Sequence, residues 1–149
     1  MEQLYERDFS QWAETMADLL AAGDFAALDI ENLVEEVRDL SKRERDRLLS
    51  SLRLIVHDLL KWDYQPQRRS RSWQGTVERE RANIELYLKD SPSLKRYLTD
   101  ESLAKIYPTA RADGFRETGL NFPAECPYRI DEVLNRVVAL GDSSPGERD

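Results

Sequence analysis

The stretch from Lys61 to Trp73 reads KWDYQPQRRSRSW and concentrates the residue types that bind anions. Arg68, Arg69 and Arg71 offer planar, fork-shaped donors that match phosphate or carboxylate, and Lys61 adds a compact charge. The unpaired N–H groups at the start of a following helix favour an anion in the same place. Trp62, Tyr64 and Trp73 have faces on which a base can stack. Lys61, Arg68, Arg69, Arg71 and Trp73 are therefore the candidate binding residues. The competing reading is a well-fastened turn between two helices, with the tryptophans packed inward and the arginines paired to carboxylates such as Glu35, Glu36 or Asp39.

His57 is the only histidine, and Glu80 interrupts the apolar stripe Val77, Ile84 of the next helix. A buried carboxylate needs a partner. Counting turns back from the elbow at 1.5 Å per residue puts the two at similar height on antiparallel helices. His57 and Glu80 form the candidate acid/base pair, with Arg53 and Arg81 as rival partners; the competing reading is a structural pair that sets register. One histidine and one cysteine cannot supply a Cys/His zinc site, and the Glu-x-x-His pairs of di-iron bundles are missing. Carboxylates crowd residues 31–39 but read as a solvated face, so neither metal nor cofactor is expected. Cys126, hemmed in by Pro127, reads as a structural thiol.

Helical periodicity positions these groups. Phe9, Trp12, Met16, Leu19 and Leu20 form one stripe, with Asp8 placed to cap it and Gly23 to stop it. Asp29 then caps a second helix carrying Ile30, Leu33, Val34, Val37 and Leu40. The pattern Ser41-Lys-Arg-Glu44 reads as a capping box that opens a third helix running to about Tyr64. That helix is apolar at Leu48, Leu49, Leu52, Ile55, Val56, Leu59 and Leu60, with Leu54 opposite, as a central helix must be. Pro66 closes it. A fourth helix starts near Ser70 or Ser72. Ser91 and Pro92 open a fifth, which Pro108 should kink or break before it resumes to about Glu117. Ile130 to Val138 give the last. The second, third and fourth helices should be antiparallel neighbours, because their connections are short. The expected fold class is all-α: one irregular bundle of about five to seven helices over residues 1–140 with a central buried third helix, followed by a disordered tail at 141–149.

The chain has 149 residues, 34% of them charged, and a net charge of −7. The elbow carries +3, leaving −10 elsewhere, which disfavours nucleic-acid binding over the whole surface but not a local anion site. A single cysteine excludes an intramolecular disulfide. The first residues lack a basic region followed by an apolar run, and no stretch has the length of a membrane span, so a cytoplasmic protein is expected.

Four separated motifs resemble those of an uncharacterised bacterial family, domain of unknown function twenty-nine: LYERDFSQWAETMADLLAAGDFAALDIENLVEEV, LLKWDYQPQRRSRSW, DSPSL and FPAECPY. The resemblance runs from about Leu4 to Leu140. It implies an all-helical bacterial protein and no particular activity. Pro108 and Arg129 depart from the family pattern, where a helical residue and a capping residue such as Thr would be usual.

Three functions fit these residues. The first is a non-enzymatic binding module whose elbow meets an anionic ligand or acidic partner. The second is an enzyme on phosphate-containing substrates, using His57 and Glu80. The third is an interaction protein that binds a protein partner, or itself as a homo-oligomer, through an apolar helix face. The first is the preferred expectation.

Overall fold

A computed structural model describes residues 3–141. Within them the chain is all-α, with six α-helices, three short 3₁₀ turns and no strand. Contacts divide it into two compact units, residues 1–43 and 44–149.

The first unit holds α1 (Leu4–Arg7), α2 (Phe9–Ala22) and the opening turns of α3 (Ile30–Tyr64). Its punctuation follows local chemistry. The Asp8 carboxylate accepts the Gln11 N–H at 3.0 Å, capping α2. Gly23 ends that helix at φ 72°, a left-handed conformation that suits glycine. Asp29 accepts the Asn32 backbone N–H at the start of α3 and also the Trp12 indole N–H at 3.1 Å. One carboxylate thus caps a helix and pins it to its neighbour. Among the described residues of this unit only Trp12 and Met16 are buried.

The expected helix boundary at Ser41 does not form. Residues 30–64 are one uninterrupted helix, α3, with Ser41 and Glu44 inside it. A capping box needs a chain that has already left the helix, and nothing between Asp29 and Gln65 makes it leave. There is no Gly or Pro, and Leu, Arg, Lys and Glu dominate the junction.

In the second unit the C-terminal half of α3 is central. Leu48, Leu52, Ile55, Val56, Leu59 and Leu60 have no exposed surface. Each contributes roughly 1.5–3 kcal/mol of burial. Ser51, Asp58, Lys61 and Trp62 are buried on its other sides. Helix α4 (Arg71–Asp90) is capped by Ser70 and returns antiparallel: Ser51 pairs with Glu80 near one end, and Lys61 lies over Trp73 near the other. Helix α5 (Asp100–Thr118) runs parallel to α3, since Arg53 meets Asp113 and Lys61 meets Glu117.

Three further boundaries differ from expectation. Pro92–Tyr97 is a 3₁₀ turn whose Ser91 makes no side-chain cap; α5 starts at Asp100, where the Thr99 hydroxyl accepts the Ser102 N–H. Pro108 sits within α5 without breaking it. Tyr107 beside it is buried, and its hydroxyl donates to the Pro123 carbonyl, which holds that turn against the core. Helix α6 covers only Ile130–Asn135, and Val137 faces solvent. Arg129, with no acceptor to cap it, is replaced in that task by Asp100, whose carboxylate takes the Ile130 N–H at 2.7 Å. The expected disordered tail lies, from residue 142 on, outside the described residues.

Candidate functional site

The elbow is tied down from three sides. Helix α3 ends at Tyr64 with unpaired carbonyls. Arg69 Nε donates to one of them, Trp62 O, at 2.8 Å, and its guanidinium lies 4.8 Å from the Trp62 ring centre. Asp63 accepts the Tyr128 hydroxyl at 2.7 Å and both Arg136 Nη groups at 2.7 and 2.6 Å. Burial pushes the Asp63 carboxyl up, but these donors and the Arg136 charge outweigh it and hold it below its ordinary value. The same contact, added to burial, pushes the Tyr128 hydroxyl well up. Arg136, the residue that follows α6, has left the helical conformation at ψ 131° and makes this contact.

Lys61 is buried. Its Nζ lies 3.0 Å from both Asp58 and Glu117 and 5.0 Å from the Trp73 ring centre, and Trp73 itself is half-buried. Of the five candidate binding residues, Arg68 and Arg71 are exposed with no carboxylate in ion-pair range among the described residues, while the other three are engaged in the turn.

His57 and Glu80 do not pair. Glu80 accepts the Ser51 hydroxyl at 2.7 Å, with Asn83 and Arg79 beside it. His57 Nε2 instead lies 2.9 Å from Glu117 Oε2, off the line of a hydrogen bond and otherwise without a partner, and Nδ1 is 3.7 Å from Asp58. Helix α4 does return antiparallel, but Glu80 lies level with Ser51, six residues or about 9 Å before His57, and α5 approaches the His57 side and brings Glu117. The rivals are placed too: Arg53 meets Asp113, and Arg81 donates to the Val133 and Glu132 carbonyls at the end of α6. Burial raises the Glu117 carboxyl, but Lys61, then His57, outweigh that and leave it lowered. A carboxylate in the last turn of a helix opposes the helix dipole, and that signal in the sequence could have marked Glu117 as needing a cation.

His57, Asp58, Lys61 and Glu117 form one cluster in which the buried Lys61 ammonium meets both carboxylates. None of the surface cavities described is lined by His57. Cys126 donates to the Tyr128 carbonyl, and burial pushes its thiol up, away from the reactive thiolate. Among the described residues no three His, Cys, Asp or Glu side chains are grouped to hold a metal ion, and no helix is long and apolar enough to cross a membrane.

The 1–43 unit presents a different surface. Ile30, Val34, Val37 and Leu40 are 44–62% exposed. Ile30, Val34 and Val37 follow i, i+4, i+7 spacing and share one face of α3, which Leu40 extends to about 15 Å in length. With Phe9, Leu20 and Phe25 this unit holds seven of the thirteen large hydrophobics exposed among the described residues, in under a third of the chain. A solvent-facing apolar stripe of this kind is more often an interface than a bare surface.

The fold and these surfaces define an all-α protein with two candidate contact regions among the described residues. Residues 4–138 match the family described as Domain of unknown function DUF29, and the chain belongs to that family. No curated protein and no solved structure matches it.

Proposed function

We propose that the protein is a non-enzymatic interaction module of the bacterial cytoplasm that docks a protein partner through the apolar face of residues 30–40. The observation that carries this reading is the exposed stripe Ile30, Val34, Val37 and Leu40 on a unit that, among its described residues, buries only Trp12 and Met16. A helical segment of this size is close to the lower limit of what its own core can stabilise. Further apolar burial against a partner stabilises it.

A photo-crosslinking residue at Val37, beside controls at the exposed Leu86 and Arg71, tests this in cells. A discrete crosslinked species from Val37 alone is the expected result. Crosslinks from Arg71 alone move the function to the elbow.

The elbow is the second reading, favoured by the exposed, unpaired Arg68 and Arg71 beside the α4 N-terminus. It predicts binding of an anionic ligand, phosphate or nucleic acid, that weakens with salt and disappears in Arg68→Ala/Arg71→Ala.

A further inference from the structure

The chain's charge is divided unevenly. Residues 1–43 contain eleven acidic and four basic residues, which is the whole net charge of −7, while residues 44–149 contain eighteen of each. Two of those four cations are already engaged within the unit: Lys42 with Asp39 at 3.7 Å and Arg43 with Glu36 at 3.9 Å. Glu31 and Glu35 are exposed, pair with no cation among the described residues, and line a shallow groove with Val34, Arg38 and Lys42. The field is felt by Tyr5. Its hydroxyl donates to Glu36 at 2.5 Å and is pushed up to about 12 by that bond first, then by burial and the charges of Glu36, Glu35 and Asp39.

The apolar stripe therefore belongs to an acidic unit, and in the groove beside it Glu31 and Glu35 outnumber Arg38, since Lys42 is held by Asp39. A second copy would bring another −7 against it, and nucleic acid or an anionic lipid surface would bring the same sign. A segment with an apolar stripe and Lys or Arg along its flanks matches both features. We infer that the partner docked on residues 30–40 is a cationic amphipathic helix, seated with its apolar stripe on Ile30, Val34 and Val37 and its basic flank against Glu31 and Glu35. This rests on the docking role proposed above and names the chemistry of its partner.

The test uses the full chain and a fluorescein-labelled leucine/lysine peptide of about five helical turns, patterned to place leucine on one face. The same composition scrambled and a leucine/glutamate counterpart are controls, read by anisotropy at low and moderate salt. The expected result is saturable, salt-weakened binding of the patterned cationic peptide only. It should be roughly tenfold or more weaker in Val34→Ser/Val37→Ser and several-fold weaker in Glu31→Gln/Glu35→Gln. All four positions are exposed, and unchanged helix content by circular dichroism confirms that each variant folds. Equal binding by Glu31→Gln/Glu35→Gln, or no binding by the wild type, overturns the cationic partner. A self-associated species in sedimentation that Val34→Ser/Val37→Ser dissolves also overturns it, yet leaves the apolar face as an interface. If Val34→Ser/Val37→Ser changes neither peptide binding nor sedimentation, and Val37 yields no crosslink, the docking role falls too.

Discussion

Replacing Asp63 with asparagine keeps the side chain's shape and removes its charge. In the wild type it accepts three hydrogen bonds, two from Arg136 and one from Tyr128. Asparagine retains one acceptor oxygen and turns an N–H₂ group toward a donor. The Asp63 and Arg136 side chains are 23% and 33% exposed, between a surface pair and a buried one. Exposed pairs contribute about 0–1 kcal/mol, and breaking a buried pair costs about 3–5 kcal/mol. An intermediate site with bidentate geometry should cost about 2 kcal/mol. At roughly 2–4 °C per kcal/mol for a chain of this size, the melting temperature falls by about 4–8 °C. The assay is urea unfolding followed by far-UV circular dichroism, for wild type, Asp63→Asn, Arg136→Met and the double variant. The folded carboxyl is held below its ordinary value, so its stabilisation is fully present above about pH 4 and is lost as the pH falls through the lowered value. The gap between wild type and Asp63→Asn should therefore close only on the acid side. A gap under about 0.5 kcal/mol at neutral pH, or additive single-variant costs, would refute the account of Asp63 as the fastener of the C-terminal segment.

Two further substitutions probe other features. Ser41→Ala should leave stability unchanged or raise it by up to about 0.5 kcal/mol, because the residue is inside α3; a loss of about 1 kcal/mol in urea unfolding would restore the capping box and split the helix. Lys61→Met should destabilise by about 3–5 kcal/mol by leaving Asp58 buried without its cation, and adding Asp58→Asn should recover much of that; a single-variant cost under about 1 kcal/mol would deny the cluster its structural role.

Helix ends marked by a residue with one local task were legible in the sequence. Asp8, Gly23 and Ser70 act where their chemistry places them, and the stripe from Leu48 to Leu60 is the core. Ser41 fits the pattern of a cap but stands in a context with nothing to stop the helix, and a start signal has no effect without a stop before it. Ser91 and Pro92 open only a 3₁₀ turn, and Thr99, two turn-forming steps later, makes the cap. The site residues were harder to read because their partners are distant in sequence. Arg136 is 73 residues from Asp63, and Glu117 is 56 from Lys61. Helical spacing predicts which face a residue occupies, not which of two neighbouring helices covers that face. Spacing pairs His57 with α4, whereas the side chain meets Glu117 of α5.

The uneven division of charge means that dissolved salt acts on the two units with opposite sign. Within residues 1–43 the carboxylates repel one another, so added ions relieve strain and tighten that unit. Within residues 44–149, where cations and anions are balanced and joined in pairs such as Arg53 with Asp113, the same ions weaken attraction. Raising the ionic strength should thus shift the balance of stability between the two units toward residues 1–43.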